Sequence, residues 1–145
     1  MNLLNKTAFV LTIALALGAC KKKDQSPGLG NNYSPPVKDL IMAHSWIASD
    51  VLLNDTSIWS MMQDCKKDDI YTFKNNSIVT VDEGSTKCNV SDSQSTDQFW
   101  KSLGDYSNKM IFYSDTVEIL QATPNLRFRR TDGADKYEIR MVAKP

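Results

Sequence analysis

The sequence predicts an all-β fold, and two observations favour an eight-stranded up-and-down antiparallel barrel. First, apolar and charged residues alternate near the C-terminus, where Leu126 and Phe128 alternate with Arg127 and Arg129, and residues 137–141 repeat the pattern. A period of two gives a strand one buried face and one face in water. Second, eight β-rich runs are joined by short connections, and barrel closure removes the exposed sheet edges. A two-sheet sandwich uses the same runs and stays open as an alternative.

Turn residues separate the predicted strands. Asn75-Asn76 and Asp132-Gly133 are typical of hairpins between neighbouring strands. A short helix is predicted at 57–62, between the first and second strands, and a helical turn or two at 37–43. The polar residues 89–96 are predicted to form a loop. The eight predicted strands are 44–52, 69–74, 77–82, 98–103, 109–113, 116–121, 126–130 and 136–143.

Residues 1–19 have the pattern of a signal peptide. Lys6 precedes an apolar run at 8–17, which is too short to cross a bilayer core of ~30 Å, and Leu17-Gly18-Ala19-Cys20 ends the segment. This ending resembles the lipobox of bacterial lipoproteins. The resemblance implies cleavage before Cys20 and attachment of acyl chains, such as palmitate, to that residue. An ordinary secretory signal or an uncleaved anchor is the alternative.

Residues 20–36 are predicted to be a disordered tether that joins the lipid anchor to a domain at 37–145. Three Pro and two Gly without periodicity indicate disorder. A chain of this length reaches about 22 Å, so we expect the domain to lie near a bacterial membrane. Lys21 follows Cys20 where Asp would favour retention at the inner membrane, so the outer membrane is the predicted location in the cell envelope.

Charge and composition exclude some function classes. From residue 37 onward there are 13 Lys and Arg against 16 Asp and Glu, and the charges are interspersed. A basic excess, which nucleic-acid binding requires, is therefore lacking. We predict a monomeric domain without affinity for nucleic acid.

Two cysteines remain once Cys20 is assigned to lipid. Cys65 and Cys88 allow a single intramolecular pair, and thiols of exported proteins usually oxidise. A disulfide is therefore predicted, and the loop it closes is worth about 3–3.5 kcal/mol on the chain-entropy model. Two free thiols or a metal pair are the alternatives, although His44 is the only histidine available as a further ligand.

Three sequence features point together to a family. They are Trp46 on the first strand, the block 65–73 closed by 82–88, and Trp100 followed by strand pairs that end in 137–141. From Leu40 to the end, the chain resembles the small lipocalin-like domains of bacterial lipoproteins. The resemblance implies an eight-stranded barrel whose interior is a candidate ligand site. Lipocalins carry Gly-x-Trp where this chain has His44-x-Trp46, so a looser barrel floor or a shifted register is expected.

The sequence predicts a non-enzymatic, membrane-anchored protein that binds a small apolar ligand inside the barrel. Aromatic side chains line most small-molecule sites. An eight-stranded barrel, however, either holds one small ligand or is filled by its own side chains. The alternative function is therefore an envelope interaction or structural module with a filled barrel, binding protein or glycan. The candidate ligand-binding residues are Trp46, Tyr71, Phe73, Phe128 and Tyr137.

Other charged residues are interpreted without a catalytic, metal or cofactor site. His44 has the chemistry of a general base, but no nucleophile motif accompanies it. Asp68-Asp69 and Asp82-Glu83 lack the spacing of known calcium loops, so solvated turn charges are predicted. Arg127 and Arg129 are predicted to face outward and to pair across strands with glutamates, in preference to forming an anion-binding stripe together with neighbouring Arg130.

Overall fold

The computed structural model describes residues 34–145. The predictions for the signal peptide, for Cys20 and for the tether up to residue 33 lie outside these residues. Within the described range, the α-helix α1 covers Val37–Met42, and two 3₁₀ turns cover Trp59–Met61 and Asp64–Lys66. The strands there are β1 Ser45–Leu53, β2 Thr56–Ser57, β3 Ile70–Phe73, β4 Ile78–Asp82, β5 Ser95–Ser102, β6 Lys109–Phe112, β7 Asp115–Gln121, β8 Leu126–Asp132 and β9 Asp135–Ala143.

The strands form a closed barrel. From β3 to β9 each strand pairs antiparallel with the next one in the chain, and β1 pairs with both β3 and β9. Two-residue β2 pairs only with the end of β1, at Leu52 and Leu53. The β1–β9 pairing runs from Trp46 opposite Ala143 to Leu53 opposite Tyr137. The predicted eight-stranded up-and-down barrel is therefore confirmed, with one short extra strand, and the sandwich is excluded.

The predicted strand bounds lie within three residues of the observed ones. The largest difference is in β5, which begins at Ser95, inside the predicted loop. Polar pairs across strands hold this stretch, because the Thr80 hydroxyl donates to Asp97 at 2.7 Å. The helical segment predicted between the first two barrel strands is the 3₁₀ turn Trp59–Met61.

One end of the barrel is closed by α1 and two indoles. Trp46 is 0% exposed, and its Nε1 donates to the Ile41 carbonyl of α1 at 2.7 Å. The Trp100 Nε1 donates to the Lys74 carbonyl at 2.9 Å, at the turn that follows β3. Each buried indole thus has a partner for its only polar group, which a buried N–H requires. We call this half, which also contains Phe73, the closed half.

His44 does not loosen the barrel floor. Its ring packs edge-on against Trp46 with centroids 5.5 Å apart, while its own side chain remains exposed. The expected loosening at Trp46 is therefore wrong. A register irregularity does occur in the β1–β9 pairing, but it lies further along, between Ala48 and Asp50.

Candidate functional site

The half of the barrel away from α1 contains a cavity of about 500 Å³. We call it the open half. Its walls come from the ends of β1 and β6–β9 that are remote from Trp46, and from the connection between β1 and β3. Seven lining residues are apolar and four carry polar groups. They are Val51, Ile58, Met62, Phe112, Val117, Phe128 and Ile139, and then Tyr113, Asp115, Arg130 and Tyr137.

Side-chain size explains why this half is hollow. In the closed half, two indoles and Phe73 belong to one buried cluster, and the ring centroids of Phe73 and Trp100 are 5.0 Å apart. In the open half, the inward positions of β1, β7 and β9 hold Val51, Val117 and Ile139. These shorter side chains do not span a barrel of eight strands, whose interior is just wide enough for large side chains to fill.

Arg130 is a site residue that the sequence analysis did not identify. It lies two residues after inward-facing Phe128 on β8, and its register partner on β9 is Tyr137, which also lines the cavity. Residues two apart on a strand share a face. The alternation that placed Arg127 and Arg129 outside therefore also placed Arg130 inside, and this signal was available in the sequence.

Arg130 is held at the mouth of the cavity by two carboxylates. Its guanidinium donates from Nη1 to Asp115 Oδ2 at 2.8 Å and from Nη2 to Asp132 Oδ2 at 3.3 Å. The guanidinium carbon lies 5.4 Å from the centroid of the Tyr137 ring, a cation–π distance. The side chains of Arg130 and Asp115 are 40% and 47% exposed, so this group sits where the cavity meets water.

A second charged group, around Asp69, lies near the lining residue Tyr113. Asp69 is only 2% exposed, and Lys66 Nζ lies 3.4 Å from its carboxylate and 3.5 Å from that of Glu83. Burial raises the pKa of Asp69 against the opposing effect of Lys66. Among the described residues, Asp69 Oδ1 and Glu83 Oε2 have no hydrogen-bond partner. Lys66 therefore does not satisfy all the carboxylate oxygens of this group.

Two tyrosines connect the Asp69 group to the interior. Burial, together with the nearby Asp69 carboxylate, raises the pKa of Tyr113, which lines the cavity. Burial also raises the pKa of Tyr71, with Tyr113 and Asp69 adding to the effect. Tyr113 occupies the short connection from β6 to β7 with a positive φ of 59°, and its ring packs edge-on against Phe112. Both phenols are neutral at physiological pH.

Of the five residues predicted to bind a ligand, two line the cavity. Phe128 and Tyr137 are part of its wall. Trp46 and Phe73 belong to the closed half, where Phe73 contacts Trp100 and Phe112. Tyr71 packs against Phe112, with centroids 6.3 Å apart, and stands behind the lining. The ligand-binding role of these residues stays a prediction, and the geometry directs it to the open half.

The predicted disulfide is confirmed. Cys65 and Cys88 are bonded, with their Cα atoms 5.1 Å apart. The bond joins the second 3₁₀ turn to the loop that precedes β5. It therefore restrains the connection between β1 and β3, which supplies Ile58 and Met62 to the cavity wall.

The outward arginines pair with a glutamate, as predicted. Glu138 on β9 is 4% exposed and accepts hydrogen bonds from Arg127 at 2.6 Å, Arg140 at 2.8 Å and Arg129 at 3.4 Å. Burial acts to raise the pKa of Glu138, but the hydrogen bonds from Arg140 and Arg127 hold it below its ordinary value. This cluster belongs to the outer wall and is separate from the cavity.

The prediction of solvated turn charges is wrong for Asp69, which is 2% exposed, whereas Asp68 and Asp82 accept hydrogen bonds within the loops. Asp68 Oδ2 accepts hydrogen bonds from the backbone N–H groups of Ser85 and Thr86, each at 2.9 Å, and Asp82 accepts one from Gly84. Within residues 34–145, no group of three or more His, Cys, Asp or Glu side chains has the geometry to hold a metal ion. In the same range, no helix has the length and apolarity needed to cross a bilayer.

Comparisons with known proteins give no match. No family model matches the chain, and no curated protein matches it.

Proposed function

We propose that this protein is a lipid-anchored, lipocalin-like protein of the bacterial cell envelope that binds one small apolar molecule without transforming it. The observation that carries the proposal is the cavity of about 500 Å³ in the open half. Small-molecule sites are concave, have volumes of roughly 300–1,000 Å³ and are mostly apolar with a few polar groups. The open half has this character, with apolar walls and its polar groups at the mouth.

The cavity also bears on the alternative, a scaffold with a filled barrel. Only the closed half matches that description, because Trp46, Phe73 and Trp100 occupy its interior. In the open half, Phe112 and Phe128 pack against each other at 5.1 Å and still leave the space above them empty. A hollow lined by apolar side chains favours a ligand over a purely structural interior.

The binding proposal is tested with N-phenyl-1-naphthylamine, an uncharged fluorophore that brightens in apolar sites. We expect saturable binding of one probe per protein. Val117→Trp is expected to abolish it, because Val117 lines the cavity and the indole would occupy that space. Thr116→Trp is the matched control, because Thr116 is the neighbour of Val117 on the same strand and its side chain is exposed. Binding that does not saturate, or that Val117→Trp leaves unchanged, would refute the ligand proposal.

The anchor proposal rests on the lipobox-like Leu17-Gly18-Ala19-Cys20. Acyl chains on Cys20, two or more of them, would hold the domain firmly at a membrane. Cys20→Ser is therefore expected to move the protein from the membrane fraction to the soluble fraction. Cys88→Ser is the control, because it removes a different cysteine and should leave the protein in the membrane fraction. A Cys20→Ser protein that stays fully in the membrane fraction would contradict the anchor.

A further inference from the structure

The mouth of the cavity has an uneven charge balance. Arg130 pairs there with Asp115 and Asp132, and behind the lining Lys66 pairs with Asp69 and Glu83. The Arg130 group places one cation between two carboxylates, so it carries a net charge of −1. An apolar cavity thus opens beside a group of net negative charge.

Some of these charged residues border the cavity. Asp115 and Arg130 are part of its lining. The Asp69 carboxylate lies close enough to the lining residue Tyr113 to influence the ionisation of its phenol. In addition, Asp69 is 98% buried and its Oδ1 lacks a hydrogen-bond partner within residues 34–145. A buried carboxylate oxygen without a donor is costly.

We propose that the cavity binds amphiphiles with an alkyl body and a cationic ammonium head, in preference to fatty acids. This inference rests on the proposed function and specifies the class of ligand. The alkyl body occupies the apolar wall near Val117 and Ile139, and the head remains at the half-exposed mouth beside Asp115.

A carboxylate head meets unfavourable charge at this mouth. The lining cation, Arg130, already donates to Asp115 and Asp132. A ligand carboxylate must either displace one of them or lie beside both. Like charges in contact near a protein surface repel each other more strongly than they would in bulk water. The pairing within the protein therefore neutralises the one lining group that would attract a fatty acid.

An ammonium head is attracted by the carboxylates and by an aromatic ring at this mouth. It donates hydrogen bonds to carboxylates and gains Coulomb energy from the excess negative charge. The aromatic ring of Tyr113 also lines this part of the cavity, and ring faces attract cations. Because Asp115 is 47% exposed, the head keeps part of its hydration and does not bear the full cost of burying a charge.

The test uses three ligands with the same ten-carbon tail: decylammonium, 1-decanol and decanoate. Each displaces N-phenyl-1-naphthylamine from the purified full-length chain at neutral pH. We expect decylammonium to bind at least ~10-fold more tightly than decanoate, with 1-decanol between them. Decanoate binding as tightly as decylammonium, or more tightly, would overturn the head-group inference and leave the proposed function intact. Failure of all three to bind would overturn both.

Asp115→Asn gives an independent test, because it should reverse the preference between the two charged head groups. Removing this carboxylate frees part of the Arg130 guanidinium, so decylammonium should bind ~10-fold more weakly and decanoate more tightly. Glu118→Gln is the matched control, because Glu118 is exposed on the outer face of the same strand and should leave all three affinities unchanged. If Asp115→Asn unfolds, Asp132→Asn replaces it, since that carboxylate is 71% exposed. Unchanged affinities in a folded variant would overturn the inference.

Discussion

The closed and open halves of the barrel interior are built from the same strands, yet one is filled and the other hollow. β8 contributes Leu126 to the closed half, where it is 0% exposed, and Phe128 to the wall of the cavity. β9 likewise contributes buried Met141 to one half and Ile139 to the other. Backbone geometry is shared, so the difference lies in the side chains that meet across the barrel. Indoles close one half, and β-branched residues leave space in the other.

The two halves also treat polar groups differently. In the closed half, each indole N–H donates to a backbone carbonyl. In the open half, charged side chains gather at the mouth, and Asp69 keeps an oxygen without a partner in the described chain. A buried polar atom without a hydrogen-bond partner is unusual in a region that serves only stability. The contrast separates a region built for packing from one suited to binding.

The largest expected effect comes from removing one phenylalanine from each half. Phe73→Ala should lower the free energy of unfolding by about 3–5 kcal/mol, because a closely packed ring is lost. Phe128→Ala should cost less, about 2–3 kcal/mol, because one side of its ring already faces the cavity and makes fewer contacts there. Denaturant unfolding measures both. Only Phe128→Ala should also weaken probe binding, and equal losses with unchanged probe affinity would show that the halves do not differ.

Removing the disulfide should affect mainly the open half. Cys65→Ala combined with Cys88→Ala should lower the free energy of unfolding by about 3 kcal/mol, because the unfolded chain regains the freedom of a closed loop. The bond restrains the connection that carries Ile58 and Met62, so probe affinity should fall as well. Unfolding curves and probe titrations of the double variant measure the two effects. A loss below ~1 kcal/mol with unchanged affinity would contradict this role, since the loop-closure model predicts more.

The smallest expected effect concerns the outer wall that both halves share. Glu138→Gln should cost about 1–2 kcal/mol at neutral pH, because hydrogen bonds from charged groups are lost at a site whose arginines are partly exposed. The folded-state pKa of Glu138 is depressed, so its stabilisation is present above the ordinary carboxyl pKa and is lost as the pH falls through the folded value. The difference between wild type and variant should therefore disappear in acid. Probe binding should be unchanged in both.

Glu118→Gln is the control for that measurement. Glu118 is exposed on the outer face of β7 and makes a 3.3 Å contact with Asn108. Exposed polar interactions of this kind contribute little, so its stability should change by less than ~0.5 kcal/mol. A loss at Glu118 equal to that at Glu138 would mean that burial among the arginines has no special effect.

Much of the barrel could be predicted because apolar and polar residues alternate along its strands in the sequence. It placed Phe128 and Tyr137 inside and Arg127 outside, and by the same rule it placed Arg130 inside. The lipocalin resemblance associated Trp46 with the barrel floor, but its hydrogen bond could not be predicted, since it depends on α1 bringing the Ile41 carbonyl to the indole. The position of a Trp on a strand does not reveal which half of a barrel it fills.

The polar part of the site was harder to predict. Asp69 appears in the sequence as one acidic residue among several in a turn. Its burial follows from folding of the connection that also brings Lys66 and Glu83 to it. The cavity has the same kind of origin, because its volume depends on how side chains from β1, β7 and β9 meet in space. Contacts between residues distant in the chain leave no local pattern.

Methyl NMR during a titration with 1-decanol compares the two halves most directly. The methyl groups of Val51, Ile58, Val117 and Ile139 line the cavity, whereas those of Ile41, Val79 and Leu126 lie in the closed half. We predict saturable shifts in the first set, all following one binding curve, and no shifts in the second. Equal shifts in both sets, or shifts confined to an outer-wall methyl such as Val142, would contradict a barrel that is filled in one half and binds its ligand in the other.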